Sequence, residues 1–100
     1  MFSGGDYQEV ARWLENFVSS HSKREDPRAE AALDAEGPRE GVSYGVRVRL
    51  GERLSSEIEL TYADVAAHRG SLAWNQELAE RVRGLARDLT AVERSVSPPA

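Results

Sequence analysis

Val42-Ser43-Tyr44-Gly45-Val46-Arg47-Val48-Arg49-Leu50, then Gly51-Glu52-Arg53, then Leu54-Ser55-Ser56-Glu57-Ile58-Glu59-Leu60-Thr61-Tyr62: this stretch decides the fold. On its first arm Val42, Tyr44, Val46, Val48 and Leu50 alternate with Ser43, Gly45, Arg47 and Arg49. On its second, Leu54, Ile58, Leu60 and Tyr62 alternate with Ser55, Glu57, Glu59 and Thr61. Successive side chains of a strand point to opposite faces, so a period of two marks a half-buried strand. The spacing predicts a two-stranded antiparallel β-hairpin over residues 42–62. Pairing Leu50 with Leu54 around a three-residue loop sets Val46 opposite Ile58 and Arg47 opposite Glu57. A slip of two sets Arg47 opposite Glu59 and Arg49 opposite Glu57. Either register keeps the apolar residues on one face, whereas a slip of one does not. The second face is then an arginine–glutamate lattice, each pair contributing about 0.2–1 kcal/mol.

Two strands alone are not stable in water, so the flanking segments must cover the apolar face. Upstream, Asp6 and Glu9 have the spacing of a capping box. Tyr7, Val10, Ala11, Leu14, Phe17 and Val18 follow at helical spacing, which predicts a first helix over 6–20 with Trp13 at the edge of its apolar stripe. Residues 21–41 read as a mobile linker. Asp26-Pro27 can open a short helix over 28–36, yet Leu33 is its single large apolar residue, and Gly37-Pro38 breaks it. Downstream, Thr61 and Asp64 form a capping pair for a short helix from Tyr62 to His68 that stops at Gly70. Ser71 caps the last helix, in which Leu78, Val82, Leu85, Leu89, Val92 and Val96 follow the a/d spacing of a heptad. The ends, 1–5 and 97–100, read as frayed. The expected architecture is α+β in one small domain: helix, linker, hairpin, short helix, long helix, with the helices on one face of the hairpin.

The composition narrows the function classes. Forty per cent of the 100 residues are hydrophobic and 30% charged, as in an ordinary globular chain. A chain of this length buries only roughly 60–70% of its unfolded surface, which favours borrowing core from a second copy. A net charge of −4 weighs against a nucleic-acid binder, which normally presents a basic face to phosphate. Arginines 47, 49, 69, 81, 83, 87 and 94 raise RNA binding as an alternative, but Glu77, Glu80, Asp88 and Glu93 interleave with them as on a solvated mixed face. There is no cysteine, no apolar run near the ~18 residues of a membrane span and no signal-peptide pattern, so a cytoplasmic protein is expected.

No phosphate-binding glycine loop, dinucleotide fingerprint or nucleophile elbow is present. His21 and His68 are the two histidines. Asp64 and His68 share a helical face as a helix-end pair rather than as metal ligands. Glu57 and Glu59 are neutralised by arginine rather than poised for acid–base work. No catalytic residue, metal or cofactor is expected. The leading expectation is a non-enzymatic interaction domain that forms a homodimer. Its interface would run along the free edge of the first hairpin arm (Val42, Tyr44, Val46, Val48, Leu50) or along the last helix (Trp74, Leu78, Val82, Leu85, Leu89). The alternative is a ligand pocket or enzymatic site where Tyr62, Asp64, His68 and Trp74 converge between hairpin and helices.

Overall fold

The computed structural model describes residues 6–95. Helix α1 spans Tyr7–Glu25 and opens on the expected capping box: the Asp6 side chain accepts from the Glu9 amide, and the Glu9 carboxylate accepts from the Asp6 amide. It outlasts the expected end at residue 20. Ser22 is buried and its hydroxyl bonds Ser19 O, while Lys23 and Arg24 suit the negative C-terminal end of the helix. Asp26 ends it in an extended conformation (φ −153°), as expected for the residue before a proline. Asp26 therefore closes α1 instead of capping a second helix.

The segment read as a linker holds a strand, β1 (Glu30–Asp34), and a single 3-10 turn (Gly37–Arg39). Strand β2 (Ser43–Leu50) follows, then β3 (Arg53–Leu54) and β4 (Ile58–Thr61). The sheet thus has four strands, not the two of a bare hairpin: β2 is central, β1 lies antiparallel on one side, and β3 and β4 lie antiparallel on the other. The alanine-rich Arg28–Glu36 run has good helical propensity, but as a strand it lays Ala31 and Leu33 beside Val48 and Val46 on the core face. Tertiary pairing overrides propensity here.

The hairpin turn also differs. Leu50 pairs with Arg53, so the loop is the two residues Gly51-Glu52, not three. Gly51 has φ +64° and Glu52 does not have positive φ, which matches a type II′ turn with glycine at its first central position. Arg49 pairs with Leu54, yet Val46 pairs with Ile58 as in one of the two expected registers. Two β2 residues therefore face three on the other strand, a β-bulge at Ser55-Ser56-Glu57. The bulge shifts parity and takes Leu54 off the apolar face, leaving it 50% exposed.

Helix α2 (Tyr62–His68) is capped by Thr61, whose hydroxyl accepts from the Asp64 amide at 3.1 Å. Helix α3 (Leu72–Ser95) follows. The expected frayed ends and Val96 lie outside the described residues. All helices cover the same sheet face. Val10, Leu14 and Val18 of α1, Tyr44, Val46 and Val48 of β2, Val65 of α2 and Val82 of α3 are fully buried in one core. Among the described residues no helix covers the sheet's second face. The expected α+β layering therefore holds, with two strands more than the sequence suggested.

Candidate interaction surfaces

Of the residues expected at an interface, Tyr44, Val46, Val48, Leu50, Leu78, Val82 and Leu89 are buried within the chain itself. The β2 edge expected to be free is occupied by β1. Val42, just before β2, is 62% exposed, and Trp74 and Leu85 are half-buried. The residues expected around a pocket divide into two groups. Tyr62 joins Tyr7 and Tyr44, with the Tyr7–Tyr62 ring centroids 6.0 Å apart. His68 turns to Asp64, with Nδ1 2.9 Å from its backbone O and 3.1 Å from Oδ1, and lies 6.2 Å from the Trp74 ring. None of the four lines the concavity on the sheet.

Three surfaces remain. The first is the outer flank of the helical layer. Helices α1 and α3 run side by side in the same direction: Trp13 lies 6.5 Å from Trp74, and further along both helices Glu25 meets Arg83 Nε at 2.7 Å and Arg87 Nε at 3.3 Å. Phe17 and His21 continue the row of rings from Trp13, and Arg69 sits over the Trp13 face. The hydrogen bond from Arg83 holds the Glu25 carboxyl below its ordinary range, with Arg87 adding to it. Burial, then the Arg24 and Arg83 charges, push the His21 imidazole down. The two tryptophans, far apart in sequence, join helices whose pairing could not be read without knowing that α1 and α3 are parallel.

The second surface lies where α3 outruns α1. Beyond Arg87, α3 has no α1 beside it, and its apolar stripe meets the hairpin end instead. Leu54, Ser55 and Ser56 there form a groove of about 180 Å³ with Leu85, Asp88, Leu89 and Val92. Leu54 and Val92 are 50% and 44% exposed at its rim. Leu54 borders this groove from the hairpin end, half exposed because the bulge turns it off the core face, and a sequence reading that assumes unbroken alternation misses it.

The third surface is the open sheet face and its β1 edge. Arg39 reaches from the 3-10 turn across Gly45, with Nη2 2.9 Å from both oxygens of Glu57 and Nε 3.1 Å from Asp34. Gly45 lets the pair lie close to the sheet, since a Cβ there would come within 2.5 Å of Glu57 Oε2 and 2.8 Å of Arg39 Cζ and both side chains would have to shift. Arg49 pairs with Glu30 at 2.7 Å, and Arg47 is 3.8 Å from Glu57. The expected ionic lattice exists but spans three strands, recruiting β1 and Arg39, which the two-strand reading omitted. A concavity of about 550 Å³ lies over this face and reaches the β1 edge at Ala31, Leu33 and Glu15.

No protein-family model, curated protein or solved structure matches this chain. Among the described residues no group of three His, Cys, Asp or Glu side chains is placed to hold a metal ion, and no helix is long and apolar enough to cross a membrane.

Proposed function

We propose that the chain is a small non-enzymatic interaction domain that self-associates through the projecting end of α3. The observation that supports this most is the apolar groove of Leu54, Leu85, Leu89 and Val92, left open where α3 passes the end of α1. Leu78, Val82 and Leu89 of the 3.5-residue repeat are taken up by the chain's own core, which leaves Leu85 and Val92 beside Leu54 as the part of the stripe open to a helix of the same period. A second copy of α3 supplies one. Of the two interfaces expected from the sequence, this keeps the last helix and drops the β2 edge, which β1 occupies. The charged side chains favour structure over catalysis: Glu25 and Glu57 are each engaged by an arginine of another segment, and Asp64 lies 3.1 Å from His68 within α2.

Sedimentation equilibrium on the full chain should show a dimer at micromolar concentration. Leu85→Glu and Val92→Glu, at half-buried and exposed positions, should each return a monomer while far-UV circular dichroism stays unchanged. A wild-type monomer, or Glu variants that remain dimeric, would overturn the proposal.

A further inference from the structure

The β1 edge offers a binding site for a different partner, and the hydrogen-bond parity of the sheet defines it. The Val48 carbonyl accepts from the Ser55 amide and its own amide donates to Ser55 Oγ, both at 2.9 Å, while Val42 O accepts from the Tyr62 amide at 2.8 Å. Even-numbered residues of β2 therefore direct their backbone groups toward β3 and β4. In an antiparallel ladder hydrogen-bonded and non-hydrogen-bonded pairs alternate, so Ala31↔Val48 and Leu33↔Val46 are non-hydrogen-bonded pairs. The amides and carbonyls of Ala31 and Leu33 then face outward, two donors and two acceptors on the rim of the sheet.

The Ala29 end of this edge is closed, and the Tyr7 hydroxyl approaches its Ala35 end. The Ala29 amide donates to Asp26 O at 2.9 Å, its carbonyl accepts from Lys23 Nζ at 2.9 Å, and Ala35 O is 3.2 Å from the Tyr7 hydroxyl. What remains has the length of a short strand. No proline or bulge blunts it, and the protection it carries is its five-residue length and the two carboxylates, Glu30 and Asp34, at its ends.

Charge selects the occupant. A second copy that used all four free groups would align antiparallel about Ala32, which places Glu30 opposite the copy's Asp34 at both ends. Like charges directly opposite destabilise a strand pair. Glu30 and Asp34 are more than half exposed, at 55% and 57% of their side-chain surface, and each pairs with one arginine of its own sheet. Each carboxylate can accept from a second cation on the incoming side. Glu15 borders the same edge beside Ala31 and Leu33.

We propose that β1 binds an extended segment of a partner protein, added antiparallel as a fifth strand, with basic residues four apart set against Asp34 and Glu30. Between them, residues at the second and fourth positions lie beside Leu33 and Ala31 and are apolar. This is strand addition to a sheet edge, with backbone bonds giving affinity and alternate side chains giving selectivity. It is independent of self-association through α3, which uses the opposite side of the sheet's core layer.

The test uses the full ¹⁵N-labelled chain and an acetylated, amidated Arg-Val-Thr-Val-Arg peptide. The Ala31 and Leu33 amide signals should shift and gain exchange protection, whereas Glu-Val-Thr-Val-Glu should leave them unmoved. Ala31→Pro removes an outward amide without touching the β1–β2 ladder, and should weaken binding about tenfold, the loss of one hydrogen bond. Equal binding of the two peptides, no perturbation at millimolar peptide, or full affinity in Ala31→Pro each overturns the proposal. So do peptide-free shifts of Ala31 and Leu33 that grow with protein concentration, because they would mean that β1 pairs with itself.

Discussion

Tyr7 has one hydroxyl proton and three carbonyl oxygens within reach: Ser43 O at 2.6 Å, Arg39 O at 3.1 Å and Ala35 O at 3.2 Å. Only one can receive the proton at a time, and Ser43 O is the closest. The ring is fixed independently, stacked on Tyr44 at 4.6 Å between centroids and 9° between planes, while the Tyr44 hydroxyl donates to Tyr7 O at 2.9 Å. Burial, then the Glu40 and Asp34 charges, raise the Tyr7 pKa, so the group stays a donor beyond the ordinary phenol range. One side chain of α1 thus pins the path of the chain from β1 to β2. Tyr7→Phe should keep the ring stack and cost about 1 kcal/mol, the net contribution of one hydrogen bond. Urea unfolding would measure that loss, and the Val42 amide, which donates to Arg39 O at 2.8 Å, should exchange faster. Unchanged exchange there would show that the hydroxyl does not hold the turn.

Among the elements, those with a strict period were legible: β2 from its alternation, α1 and α2 from their caps, α3 from its heptad spacing. The elements of residues 21–41 were not, because local propensity and final structure conflict there. Ala29 to Ala35 has the composition of a helix but pairs as a strand against β2. The candidate surfaces inherit that blindness: the β1 edge depends on a strand the sequence hides, and the Leu54 groove on a bulge that breaks its alternation. The last turns of α1 also hold the groups that set acid stability. Between the lowered folded-state pKa of His21 and its ordinary value of 6.5, the unfolded chain binds more protons than the folded one. Stability from His21 is therefore fully present above pH 6.5 and is lost as pH falls through the folded value. Glu25 follows the same sign from a lower start, its contribution present above 4.5 and lost in stronger acid. The thermal midpoint should fall in two stages on acidification, and His21→Gln should remove the first stage and leave the second. A single stage unaltered by His21→Gln would refute this assignment.

Across the whole molecule, a single core draws on every layer. Leu14 is fully buried among residues of α1, β2, α2 and α3, so no element can detach without opening the same cluster. Such a chain should unfold in one step, with far-UV circular dichroism and the fluorescence of Trp13 and Trp74 giving the same midpoint in urea. Leu14→Ala should cost about 2–5 kcal/mol. Against the ~5–15 kcal/mol total stability of a small domain, that is a large share. The midpoint should drop with no change of slope, because the surface exposed on unfolding is nearly the same. Leu85→Glu alters a half-buried side chain at the margin of the core, so it should abolish association at a smaller loss of stability than Leu14→Ala. The two variants separate folding from interaction, since Leu14 is fully buried inside the shared core and Leu85 lines the groove at its margin. If the fluorescence and circular-dichroism transitions part in the wild type, the helical layer and the sheet are separate units, and the cooperative description fails.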